Sequence, residues 1–134
     1  MSAFYNAGLE GLLERSIPSD AVVMVCGLSD QYVFSANHTT FSDIEAAIVP
    51  GMEAQELGSA TYNNGVLDGA DMPFLAVNPG EEIDTVDSVA LFWSWNDGDD
   101  TVLFAQLTET VGLPQALTGV NITIQWPVQG ILKI

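Results

Sequence analysis

The densest set of groups able to do chemistry is Asp97-Gly98-Asp99-Asp100. Together with Asp68 and Asp71 these carboxylates would offer Ca²⁺ the hard oxygen ligands it prefers. The run has neither the full spacing nor the terminal glutamate of an EF-hand loop. Loops rich in Asp and Gly are mostly turns, because both residues accept the backbone angles a turn needs. A turn is therefore the first reading of Asp97, Asp99 and Asp100, and a metal site the second. His38 is the sole histidine and lies in the polar stretch Ala36-Asn37-His38-Thr39-Thr40. A catalytic triad is recognised by geometry, so the nearness of Ser35 and Asp43 in sequence does not make one. Carboxylates abound, but no pair stands in a context that marks a glycosidase. There is no glycine-rich phosphate loop. Cys26 is alone, which rules out an intrachain disulfide and a cysteine-based zinc site. These residues predict a protein that is not an enzyme and holds no cofactor.

Aromatic residues open a different chemistry. Trp93, Trp95, Tyr32 and Tyr62 could form a platform on which sugar rings stack, the apolar surface with polar neighbours that binding sites use. Trp93 sits inside an apolar run and reads first as core. Trp95 adjoins the Asp-rich loop and is open to either reading.

The composition narrows the classes further. A chain of 134 residues with 48% hydrophobic residues fits one domain, 1–134, with a real core. Eighteen acids against Arg15 and Lys133 give a net charge of −16. Nothing here could neutralise phosphates, so nucleic acid is excluded as a partner and an anionic membrane surface is disfavoured. The charge serves solubility and avoidance of self-association on one reading, and a basic partner or divalent cations on the other. No uninterrupted apolar run approaches about twenty residues, so no membrane span is predicted. Met1-Ser2-Ala3-Phe4-Tyr5-Asn6 has neither the basic segment nor the apolar core of a signal peptide, which predicts synthesis in the cytoplasm and any extracellular role by assembly or lysis.

Short strands must position these groups. The clearest two-residue period is Val120, Ile122, Ile124 and Trp126 against Asn121, Thr123 and Gln125, a strand with one buried face. Pro127 stops it, and after Gly130 the apolar Ile131-Leu132-Lys133-Ile134 resumes an extended run, either closing the domain's own sheet or reaching a neighbour's. Ala21 to Leu28 and Ser88 to Leu107 are apolar on both faces and read as well-covered strands, the latter a hairpin around Asn96–Asp100. Tyr32 to Ser35 is a shorter strand candidate. Asn63-Asn64-Gly65 predicts a second hairpin, and Asp68–Asp71 and Asn78-Pro79-Gly80 predict turns. Ser2 is read as the cap of a helix, within residues 1–18, that buries Tyr5, Leu9, Leu12 and Leu13 and ends at Pro18. In it, Gly8 and Gly11 are either tolerated or mark close approach of another subunit. Ser42-Asp43-Ile44-Glu45 reads as the capping box of a further short helix through about Ile48. Many short strands with regular turns predict a mainly β fold, an antiparallel β-sandwich with the jelly roll as one form, the N-terminal helix packed on it.

Several segments, taken in order, resemble a family of small virion proteins of tailed bacteriophages. They are the Phe4-Tyr5-Asn6 opening, His38-Thr39-Thr40-Phe41-Ser42-Asp43-Ile44, Asn64-Gly65-Val66-Leu67-Asp68 and Thr108-Glu109-Thr110-Val111-Gly112-Leu113-Pro114. Ile122-Thr123-Ile124-Gln125-Trp126 and Gly130-Ile131-Leu132-Lys133-Ile134 complete the set. Pro127 stands where related sequences often carry Asp or Asn. The resemblance implies a structural protein on the outer surface of the head, a capsid decoration (cement) protein or the anchor of a head fibre. The partner implied is the major capsid protein, and the oligomer a trimer over subunit junctions, binding only the assembled, expanded shell. A tail or neck component, and a carbohydrate-binding module of the particle, are the alternatives. Edges and helices without a local partner seek one, so Tyr5, Leu9, Ile131, Leu132 and Ile134 are the candidate partner-binding residues. If the Asp-rich loop is only a turn, calcium added during thermal denaturation leaves the melting temperature unchanged; a rise that saturates would assign the loop a metal.

Overall fold

The computed structural model describes residues 2–64, 66–75, 77–80, 83–108, 112–119, 121–126 and 131–133. In chain order the elements are β1 (Ser2–Phe4), α1 (Asn6–Leu13), β2 (Val22–Leu28), β3 (Gln55–Glu56), β4 (Thr61–Asn63), β5 (Val66–Asp68) and β6 (Met72–Phe74). They continue with β7 (Thr85–Val86), β8 (Ser88–Trp95), β9 (Asp100–Leu107), β10 (Gln115–Ala116), β11 (Ile122–Ile124) and β12 (Leu132–Lys133). Two 3₁₀ turns, Phe41–Asp43 and Glu45–Ala47, lie between β2 and β3. The fold is mainly β and the strand pairs are antiparallel, as the spacing of turns predicts.

The principal sheet has the order β1-β9-β8-β2-β3. Strand β8 runs through its middle, pairing with β2 from Val22↔Ser94 to Leu28↔Ser88 and with β9 from Val89↔Leu107 to Trp95↔Asp100. Side chains alternate between the faces of a sheet, and both faces here are covered. One face carries Val23, Val25, Val89, Leu91 and Trp93 and packs on a layer of short ribbons through Leu67, Met72, Phe74, Ile122, Ile124 and Trp126. Those ribbons are β12-β5-β4, β11-β6 and β10-β7. The other face carries Cys26, Leu28, Ala90, Phe92 and Leu103 and is closed by Tyr5, Ile44 and Ile48, with Tyr32, Phe34 and Phe41 half-buried at its rim. A bulge lets β9 serve both layers: Leu91 faces Ala105 but Phe92 faces Leu103, so Phe104 is the extra residue. Its ring joins Trp93, centroids 4.2 Å apart, in the ribbon-side core.

The N-terminal segment differs from the sequence reading. Ser2 caps nothing; Ser2–Phe4 form an edge strand on β9, and the helix begins at Asn6 after Tyr5, which makes no side-chain cap. The buried face of α1 is not the leucine stripe but Gly8 and Gly11, while Leu13 is 85% exposed. The close approach that glycine permits is to the chain's own β9, not to another subunit: a Cβ on Gly8 would lie 2.6 Å from the Leu103 carbonyl oxygen and 2.8 Å from the Phe104 Cα.

Other boundaries shift for identifiable reasons. Tyr32–Ser35 is not a strand; the Tyr32 N–H turns back to the Ser29 carbonyl and the His38 N–H to that of Ser35. The capping box lies two residues earlier than read, with Thr40 as N-cap and Asp43 as its reciprocal carboxylate. The hairpins at residues 63–66 and 95–100 form as read. Among the described residues of 120–126, Ile122–Ile124 enter a ladder against β6, and Trp126 is then tied by its backbone N–H to the Asp71 carboxylate and by its indole N–H to the Ala70 carbonyl. The resumed run closes the domain's own sheet: Leu132 and Lys133 pair with Leu67 and Val66 of β5.

The Gly8 packing yields a signed prediction. Alanine normally stabilises a helix by about 1 kcal/mol over glycine. At Gly8 the contacts are backbone and cannot swing aside, so Gly8→Ala is expected to lower unfolding stability in urea by about 1–3 kcal/mol. At Gly11 the nearest atom is Ile17 Cδ1, at 2.8 Å, the mobile end of a side chain, and Gly11→Ala costs less.

Candidate functional site

Two places bring polar groups together. The first joins the N-terminal segment to the loop between β2 and the 3₁₀ turns. Tyr5, wholly buried, places its hydroxyl 2.6 Å from that of Tyr32, which lies 2.9 Å from His38 Nδ1. With His38 neutral and protonated at Nε2, one proton order satisfies the chain: Tyr5 donates to Tyr32, and Tyr32 donates to His38. Burial pushes the Tyr5 phenol well above its ordinary range, and the bond to Tyr32 adds to this. Burial also raises Tyr32, against the hydrogen bonds it accepts from Tyr5 and the Ser35 backbone. Beneath them the Cys26 thiol is pushed up to about 12 by burial. Beside His38, Asp43 accepts from the backbone N–H groups of Thr39 and Thr40, which hold its carboxyl below the usual range.

Nothing in this row resembles an activated nucleophile. The thiol is fully buried and the phenols are harder to ionise than in water, the reverse of what nucleophilic catalysis needs. What the row does is fasten: Asn6 Nδ2 to Asn37 Oδ1 and the Asn6 N–H to the Ala36 carbonyl bind the same two segments.

The second place is a cleft of about 330 Å³ lined by Asp20, Val22, Ser94, Trp95, Asn96, Asp97 and Gly98. Strands β2 and β8 position it, because Val22 and Ser94 are cross-strand partners at the end of the principal sheet. The β8–β9 loop forms its rim with Asn96, Asp97 and Gly98 all at positive φ, 57°, 55° and 89°. Asn96 Nδ2 donates to Asp100 Oδ2 across the loop. Ser94 is buried, yet among the described residues its hydroxyl has no hydrogen-bond partner.

The residues singled out in the sequence fall apart in space. Trp93 is core, and Tyr32 belongs to the layer on the opposite face of the sheet, so no platform unites them with Trp95. The Tyr62 side chain lies outside the described residues. Asp68 accepts from the Gly69 N–H inside its own turn, and Asp71 accepts from the Trp126 N–H just beyond the end of β11. Among the described residues no three His, Cys, Asp or Glu side chains gather where they could hold a metal, Asp97, Asp99 and Asp100 included. Of the partner-binding candidates, Tyr5 and Ile131 are buried in the chain's own core. Leu9 is half-buried, while Ile134 and the side chain of Leu132 lie outside the described residues. Sequence reasoning passed over Asp20 and Ser94. Asp20 stands just before a strand and Ser94 is the one hydroxyl near the end of an apolar run, a signal visible only once β2 and β8 are paired.

No family model, no curated protein and no solved structure matches this chain.

The buried phenols and thiol set the alkaline limit of stability. Burial holds their pKa above the ordinary values of 10.0 and 9.0, so their contribution is complete below those values and is lost as pH rises past them. Urea unfolding followed from about pH 8 to pH 11 should therefore show stability falling above about pH 9. Tyr5→Phe is expected to cost about 1 kcal/mol at neutral pH, by removing the Tyr5–Tyr32 hydrogen bond, and to flatten the alkaline fall.

Proposed function

We propose that this chain is a structural protein of a tailed-phage virion, a decoration or cement protein on the outer surface of the head. The observation that carries the reading is the ordered set of segments that resemble that family, together with where they fall. His38–Ile44 is the capped turn that closes one face of the principal sheet, with Asp43 holding Thr39 and Thr40, Phe41 N–H bonded to Thr101 Oγ1, and Ile44 buried. Val66–Asp68 is the strand that receives the C-terminal strand, and Ile122–Trp126 is the ladder and anchor on β6. The described part of the resemblance thus lies on joints of the fold, as expected where a scaffold rather than a reaction is the working part. Gly65, Glu109, Thr110, Val111, Gly130 and Ile134 of those segments lie outside the described residues.

The mechanism is physical. A ligand that binds only the expanded shell stabilises that state by RT ln(1 + [L]/Kd) at each site, and many weak copies add. The acidic surface steers the chain toward basic loops of the major capsid protein and keeps free copies apart until they assemble, as a trimer, on the shell. Contact falls to exposed apolar side chains rather than to Tyr5 or Ile131: Leu13 is 85% exposed, Val33 80% and Leu75 72%. A head fibre would attach to the same particle-facing chain.

Co-sedimentation with purified shells tests this. The chain should pellet with expanded shells and not with unexpanded ones, should raise the shells' melting temperature, and should lose both effects on Leu13→Asp with the fold unchanged. Equal binding to both shell forms, or to neither, contradicts the reading.

A further inference from the structure

The cleft at the end of the principal sheet is not used by the fold, and its lining has a definite chemistry. Asp20 and Asp97 present carboxylates that, among the described residues, have no hydrogen-bond or ion-pair partner. Trp95 also lines the cleft and is half-buried, with its side chain packed against the ribbon-side core. Ser94 is only 8% exposed, yet its hydroxyl is unpartnered among the described residues. A buried hydroxyl left unbonded is costly, and its position on the cleft wall marks where a ligand atom would sit. The Asn96 amide already gives a hydrogen to Asp100, which leaves its oxygen as an acceptor toward the cleft rim. The inventory is therefore two anions, an amide and a hydroxyl, and no cation.

An anionic ligand is excluded by this lining and by the charge of −16. A neutral sugar needs donors as well as acceptors around its hydroxyls, and the cleft is poor in donors. A guanidinium supplies five N–H donors in a planar fork and no acceptor, and is more weakly hydrated than an ammonium. We infer that the cleft formed by Asp20, Ser94, Trp95 and Asp97 receives an arginine side chain from a basic protein segment.

The loop geometry suits a receptor already formed. Three successive residues at positive φ fix Asn96 and Asp97 by backbone conformation, and the Gly98 N–H to Trp95 carbonyl and Asp99 N–H to Asn96 carbonyl bonds close the loop on itself. Naming that segment as a capsid loop rests on the proposed function; the recognition of arginine does not.

The probe is N-acetyl-arginine amide titrated into the isolated, ¹⁵N-labelled chain, read on the Trp95 indole resonance, which Trp95→Phe assigns. A saturable shift is expected, weakened by added salt. Asp20→Asn, Asp97→Asn and Ser94→Ala alter exposed or unpartnered groups and leave the fold intact; each carboxylate substitution should weaken binding about tenfold, the size of a lost charged hydrogen bond. A shift that never saturates, variants that bind like the parent, or saturation by N-acetylglucosamine but not by the arginine amide would each overturn the inference. Failure here leaves shell binding unaffected, whereas a chain that binds the arginine amide but no shell would retire the proposed function alone.

Discussion

Burial of β8 on both faces is the constraint to which the rest of the fold answers. Every residue from Ser88 to Ser94 is buried, so neither face of the sheet can meet water and each needs its own cover. The ribbons β4–β7 and β10–β12 supply one, and the turn-rich segment from Ser29 to Ala54 with Tyr5 supplies the other. Truncating one large core side chain such as Phe92 costs about 3–5 kcal/mol, against a total stability of about 5–15 kcal/mol for a domain. Loss of either cover would therefore unfold the chain. The covers are themselves made of pieces too short to be stable alone: two- and three-residue strands, two 3₁₀ turns and one eight-residue helix. Their order comes from the sheet they cover.

The same constraint explains why the polar bonds lie where they do. Tyr5–Tyr32–His38 and the Asp43 cap fasten the second cover, and Asp71 with Trp126 fastens the first. Gln106, buried on β9, donates to the Ser88 hydroxyl at 3.0 Å, so these two buried polar side chains satisfy each other across β8 and β9. Ser94, at the other end of β8, is the exception, and it is the exception that points outward, into the cleft. Acids dominate the sequence but not the core, where the buried polar residues are Ser29, Ser88, Ser94 and Gln106. Charge is thus free to act on partners and on self-repulsion without disturbing the packing.

How much could be read beforehand follows from which signals are local. The hairpin of β8 and β9 and the strand β2 are continuous β-branched and aromatic runs, and they were legible to within a residue or two. Hairpins at Asn63–Val66 and Trp95–Asp100 were legible because Asn, Asp and Gly accept positive φ. The helix was misread because amphipathic patterning looks for large apolar residues, whereas α1 packs through the absence of side chains at Gly8 and Gly11. What covers Tyr5 was not legible, because its partners, Tyr32 and Phe34, come from a segment with no periodicity of its own. The period of Val120 to Trp126 correctly marked the buried residues Ile122, Ile124 and Trp126, but not that the ladder would span three residues. The cleft was half legible. Trp95 and Asp97 drew notice as neighbours in sequence, while Asp20 and Ser94 join them only through strand pairing across the sheet.

The central claim is that this chain works by occupying a surface on an assembled head, not by turning over a substrate. Its most direct measurement is the copy number of the chain on purified intact particles, by quantitative mass spectrometry against the major capsid protein. A fixed stoichiometric ratio to the capsid protein, unchanged by repeated purification, is what the account predicts. Presence in a handful of copies, or only in the unbound fraction, would contradict it.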